Sequence, residues 1–171
     1  IHAHDGLCHV AGGIKSVFAR IATRVNPIET EDCASASLEM SDGAFASLSV
    51  TLGSPEEISR LRLCFANFVA ESNTKPYANS EEPWKFTADT PELQKRVDEA
   101  LARAPALPES YHGQFHRYYD ALTQGAELPV TLTDARRQIE LITAMYHSAA
   151  TKRPVTLPLS RKHPLYGGWR P

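Results

Sequence analysis

The chain has 171 residues and a formal net charge of −2, with 42% of its residues hydrophobic and 22% charged, which is the balance of a globular domain with a core of ordinary size. No basic patch stands out and no apolar run approaches the ~20 residues needed to cross a bilayer, so neither nucleic acid nor a membrane is an expected partner. The length also falls short of the ~250 residues of a (β/α)8 barrel, and a start at Ile1 rather than methionine points to a fragment or a processed product.

Residues 1–12 read as a short helix with Ile1, Leu7, Val10 and Ala11 apolar and Gly12-Gly13 as its stop. Residues 15–25, rich in Val, Ile, Phe and Thr, predict a strand, and Asn26-Pro27 marks a turn. Residues 33–40 alternate, with Ala34, Ala36, Leu38 and Met40 on one face, and residues 44–52 alternate with Ala44, Ala46, Leu48, Val50 and Leu52. A two-residue Asp42-Gly43 turn would place Leu38 opposite Ser47 and mix the faces. A three-residue loop from Ser41 to Gly43 places Leu38 opposite Ala46 and Ala36 opposite Leu48. A slip of one residue moves a whole apolar set to the wrong side, so the pattern selects the longer loop with Gly43 left-handed. The opposite face then carries Ser35, Ser37, Glu39, Phe45, Ser47, Ser49 and Thr51. It is flat and weakly polar, suited either to water or to another sheet.

Residues 59–65 alternate again and 67–71 offer a further strand, whereas 72–88, with Pro76, Asn79 and Pro83, read as an irregular excursion. The last third is helical. Thr90 caps a helix opening on Pro91, with Leu93, Val97, Leu101 and Ala104 as its stripe. Tyr111, Phe115, Tyr118 and Leu122 mark a second stripe, ended by Gly125. Thr133 caps a third helix, with Ala135, Ile139, Ile142, Met145 or Tyr146, and Ala149 facing inward. Residues 154–159 predict a final strand, and 163–171 an extended tail. Strands followed by helices predict an α+β fold, an open and mostly antiparallel β-sheet with helices packed on one face. The three cysteines, Cys8, Cys33 and Cys64, form no C-x-x-C pair and read as reduced, mostly buried thiols of a cytoplasmic protein.

Several runs carry a resemblance. Ile1-His2-Ala3-His4-Asp5 opens the chain. Residues 28–34 lead into the sheet, Ser41-Asp42-Gly43-Ala44 forms the hairpin, and Ala144-Met145-Tyr146-His147-Ser148-Ala149 with Arg153-Pro154-Val155-Thr156-Leu157-Pro158-Leu159 closes it. In this order they resemble the C-terminal domain of the glucose–fructose oxidoreductase / inositol dehydrogenase / rhizopine-catabolism family, whose sheet domain is dihydrodipicolinate-reductase-like. The resemblance implies that residues 1–171 form a single C-terminal substrate-binding and oligomerisation domain. It implies that the nucleotide-binding Rossmann domain and its NAD or NADP lie outside this chain, and that the chain alone is inactive. It further implies a homodimer or homotetramer paired through the flat sheet face, and a small sugar, polyol or cyclitol substrate.

Oxidising a carbinol by hydride transfer needs a base for the hydroxyl proton, and histidine suits that task near neutral pH. His2 stands where the resemblance places the catalytic histidine. Asp5, three residues on, shares its helix face; it either sets the imidazole tautomer beside the substrate or only favours the helix N-terminus. His112, Gln114 and Tyr146 are further candidates for lining a substrate cleft. No G-x-G-x-x-G occurs, so no cofactor-binding residue is expected in this chain. Two rival readings are a metal-dependent hydrolase built on the His2-x-His4 pair and a non-catalytic oligomerisation or regulatory module.

Overall fold

The computed structural model describes residues 2–169, and the side chains of residues 4–169. In chain order the elements are α1 (His2–Ala11), β1 (Ile14–Ala22), β2 (Cys33–Met40), β3 (Phe45–Thr51), β4 (Arg62–Cys64), β5 (Phe68–Glu71), β6 (Lys85–Ala88), α2 (Pro91–Arg103), α3 (Ser110–Gln124), α4 (Leu132–Thr151) and β7 (Val155–Thr156). They fall into two compact units, one taking residues 1–56 and 132–171, the other residues 57–131.

The first unit holds a four-stranded sheet in the order β3-β2-β1-β7, antiparallel throughout. Leu38 pairs with Ala46 and Ala36 with Leu48, the register selected by the apolar pattern. The loop closes through Gly43 N–H to Met40 O (3.1 Å), with Gly43 left-handed at φ 93°. Val17, Ala19, Ala36, Leu38 and Met40 are buried on one face of this sheet, and Leu141 and Ala144 of α4 are buried with them. Each large aliphatic side chain there contributes about 1.5–3 kcal/mol by leaving water. The other face, with Ser35, Ser37, Phe45, Ser47, Ser49 and Thr51, is exposed.

Gly12 ends α1 as expected, left-handed at φ 81° and bonded to Cys8 O. Strand β1 ends three residues earlier than its composition suggests. The amides of Arg24, Val25 and Asn26 all turn to the buried carboxylate of Asp32, at 2.7, 2.8 and 2.7 Å, so they cannot continue a ladder. Those bonds, that from Asn26 foremost, hold the Asp32 carboxyl well below the usual carboxylate range although burial pushes it up.

Helix α4 departs from its expected setting in two ways. It starts at Leu132, so Thr133 lies in its first turn rather than at its cap. Its buried face is Gln138, Leu141, Thr143, Ala144 and Ser148, while Ile139 is exposed. Three polar residues sit on the inner side because each has partners there. The Ser148 hydroxyl accepts from Ala19 N–H at 3.0 Å and donates to Arg153 O at 2.7 Å. Gln138 meets His4 and Asp5 of α1. The closing strand is only Val155–Thr156, since the Leu159 amide turns to Glu140 of α4. Residues 163–169 are not extended; they fold through successive turns, and Trp169 Nε1 donates to Thr143 Oγ1 at 2.9 Å.

The second unit holds an antiparallel sheet in the order β4-β5-β6. Strand β4 is shorter than the alternation over 59–65 suggests, because Leu61 N–H bonds to the Ser72 hydroxyl instead of a ladder carbonyl. Strand β6 lies inside the segment expected to be irregular; Ala70 pairs with Phe86 and Phe68 with Ala88. Thr90 caps α2 through Leu93 N–H, with Pro91 first in the helix, as its sequence predicts. The aromatic stripe of α3 is exposed rather than buried, Tyr111, Phe115, Tyr118 and Leu122 included. All three cysteines are free thiols; Cys64 is exposed and Cys8 and Cys33 are half-buried, less buried than expected.

Two substitutions test this account. Nothing lies within 4 Å of a Cβ built on Gly43, so Gly43→Ala isolates the conformational cost. It is expected to lower unfolding free energy by about 1–2 kcal/mol in urea melts. Ser148→Ala strands the Ala19 amide and the Arg153 carbonyl, and is expected to cost about 1–3 kcal/mol by the same measurement.

Candidate functional site

Helix α1 carries the residues singled out at the start of the sequence. The His2 side chain lies outside the described residues, so its expected role is carried only by its place in the first turn. His4 is buried, and its Nδ1 lies 2.6 Å from Gln138 Oε1. The other end of the same amide, Nε2, donates to Asp5 Oδ1 at 2.7 Å. A carboxylate only accepts, so the amide nitrogen must face Asp5 and its oxygen must face His4. An amide oxygen also only accepts, so His4 Nδ1 carries its proton. One glutamine thereby fixes the tautomer of His4 and engages Asp5. One turn further along α1, burial and then the Asp5 charge push the Cys8 thiol up, which keeps it protonated and poorly nucleophilic.

Tyr146 lies eight residues beyond Gln138 on α4, about 12 Å along the helix, so it does not join this cluster. Its hydroxyl donates a short hydrogen bond to Glu31 Oε1, and its ring lies against Trp169 with centroids 5.1 Å apart. Burial first, and then the bond to Glu31, push its pKa up to about 12. The phenol is therefore a donor at neutral pH, committed to Glu31. His112 and Gln114 stand on α3 in the other unit, both exposed, and neither has a hydrogen-bond partner among the described residues. Two apart on a helix, they point to different sides.

The sequence suggests Asp5, His112, Gln114 and Tyr146 within a single domain, and it does not reveal Gln138 and Glu31 as the partners of Asp5 and Tyr146. No local spacing announces a bond between residues 133 or 115 positions apart. Among the described residues no group of three or more His, Cys, Asp or Glu is placed to hold a metal. No helix among them is long and apolar enough to cross a membrane.

An open antiparallel sheet with a helix across one face, led into by a short helix bearing histidines, defines an α+β domain rather than a doubly wound parallel one. Residues 1–157 match the family described as "Oxidoreductase family, C-terminal alpha/beta domain", the glucose–fructose oxidoreductase / inositol dehydrogenase / rhizopine-catabolism family, and the chain belongs to it. Among solved structures it is similar to the WlbA dehydrogenase from Bordetella pertussis in complex with NADH and UDP-GlcNAcA (20% identity, TM-score 0.67, covering 91% of this chain and 42% of that one). It is also similar to aldose-aldose oxidoreductase from Caulobacter crescentus complexed with glycerol (18%, 0.70, 91% and 45%). A third similar structure is levoglucosan dehydrogenase in complex with NADH (17%, 0.66, 92% and 49%). At these identities the likeness establishes the fold, and the chain spans less than half the length of each of these proteins. A comparison with curated proteins gives no significant match.

The phenol of Tyr146 supplies a pH test. Its folded pKa lies above the ordinary value near 10, so its contribution to stability is complete below pH 10 and is lost as pH rises through about 12. A base titration followed by phenolate absorbance is expected to show one tyrosine ionising near pH 12, and Tyr146→Phe to remove that step.

Proposed function

We propose that this chain is the substrate-binding and subunit-pairing domain of a cytoplasmic oxidoreductase. The enzyme would transfer a hydride between NAD or NADP and a CH–OH group of a sugar, polyol or cyclitol. Family membership over residues 1–157 carries the reading. Similar structures support the chemistry, since one is a complex with NADH and UDP-GlcNAcA and another a complex with glycerol.

The residues of this chain do not fit a dinucleotide. A phosphate cradle needs a glycine-rich turn from a strand into a helix, with backbone N–H groups aimed at the pyrophosphate. Here the Gly12-Gly13 pair runs the other way, from α1 into β1. The cofactor accordingly belongs to another domain of the whole enzyme, and the hydride step lies there.

What this domain supplies is the group that carries the proton. His2, in the first turn of α1, takes the hydroxyl proton of the carbinol in oxidation and returns it in reduction. Asp5 helps through Gln138 rather than alone. The exposed sheet face is the pairing surface. It presents Ser35, Ser37, Ser47, Ser49 and Thr51, side chains short enough for a second sheet to approach, around an exposed Phe45. Residues 1–171 serve these tasks together, so both compact units belong to one functional domain.

Calorimetry on the 171-residue chain is expected to show NAD(H) or NADP(H) binding no tighter than millimolar; micromolar affinity would sink the reading. The full-length enzyme, assayed against a panel of aldoses and inositols with both nicotinamides, is expected to reduce the cofactor with at least one. His2→Ala is expected to lower kcat by roughly 10²–10⁴-fold in that assay.

A further inference from the structure

We propose that Gln138 is the positioning residue of this domain, a two-ended clamp that sets the rotation and height of α1 and so places His2. The inference rests on the reading of His2 as the proton acceptor.

Helix α1 has ten residues, too short to hold its own start in water, so tertiary anchors must decide where its first turn lies. Leu7 anchors its middle by burial, and Gly12 ends it. Near His2 the described anchor is polar. Gln138 is itself buried, receives the His4 Nδ1 proton at 2.6 Å and donates to Asp5 at 2.7 Å. His4 and Asp5 are consecutive and differ by about 100° around the helix axis. A single planar amide satisfies both at one azimuth and one height only. A shift of one residue would offer it Ala3 in place of His4, or Gly6 in place of Asp5, and neither has a polar side chain to answer.

The clamp transmits the position of the sheet. Ser148, on the same helix as Gln138, is bonded to the Ala19 amide of β1. The chain of contacts runs from β1 through Ser148 to α4, and from Gln138 to the first turn of α1. Apolar packing alone would let α1 slide, because a buried leucine is non-directional; two hydrogen bonds of fixed polarity do not allow it. The clamp also explains why a glutamine occupies a face of α4 that apolar periodicity would give to an aliphatic side chain.

The test uses the full-length enzyme, with the sugar from the aldose and inositol panel that it turns over fastest. Gln138→Ala is expected to lower kcat roughly 10–100-fold while KM changes by less than about threefold, since displacement of a reacting group acts on orientation more than on binding. Histidine-ring ¹⁵N spectra of the same enzyme are expected to show His4 protonated at Nδ1 in the wild type and to lose that fixed tautomer in Gln138→Ala. Gln138→Glu sets a carboxylate against Asp5 and is expected to be impaired as well. Adding Asp5→Asn turns the partner into a donor, restores both bonds with the second reversed, and is expected to recover most of the lost kcat and the His4 Nδ1 proton. If Gln138→Ala does not fold, as judged by circular dichroism, the comparison of Gln138→Glu with the double variant decides. The inference is overturned if His2→Ala loses turnover while Gln138→Ala keeps kcat within about twofold, or if the double variant is no better than Gln138→Glu alone. Full turnover by His2→Ala would instead remove the reading of His2, and this inference with it.

Discussion

Beyond Val17, strand β1 runs past the end of its β7 neighbour, and the amide of Ala19 relies on the Ser148 hydroxyl of α4 for its partner. An unpaired amide at that depth would cost about 1–3 kcal/mol, so sheet and helix are tied by direction as well as by apolar contact. Much else in this unit then hangs from α4. Glu140 takes the Leu159 amide, Thr143 accepts from Trp169, Tyr146 lies tilted against Trp169 and reaches Glu31, and Gln138 meets α1. Helix α1 and the segment that reaches Trp169 are both tied to α4.

The same helix explains how polar groups are distributed. Its inner face mixes Leu141 and Ala144 with Gln138, Thr143 and Ser148, and each of those three polar side chains has a bond to make. The arrangement separates two kinds of chemistry. Around Tyr146 the proton is held tightly, with the phenol up to about 12. Around α1 the ionisable groups are oriented instead, with Asp5 engaged, His4 fixed as one tautomer and Cys8 kept as a thiol. A histidine in the first turn would work beside groups whose hydrogen-bonding directions are already assigned.

The two faces of the four-stranded sheet have opposite character for a simple reason. Side chains alternate along each strand, so small polar residues at every second position collect on one side and apolar ones on the other. One side is filled by α4. The other offers serine and threonine across β2 and β3 with an exposed Phe45.

The sequence by itself determined whatever depends on neighbours a few residues away. The period-two pattern over 33–52 decided the hairpin register and the left-handed Gly43, because a slip would have exposed Leu38 and Met40. Gly12 and the Thr90-Pro91 start of α2 were legible because stops and caps are local chemistry. The helix bearing His2 and Asp5 was legible as well. Tertiary structure alone decided the azimuth of α4, because Gln138 and Ser148 are buried only through partners 134 and 129 positions away. It decided where β1 stops, through Asp32, and that residues 85–88 become a strand, since β5 supplies their ladder. The helix that opens this chain is thus legible in its own letters, but its setting is held by a glutamine near the other end.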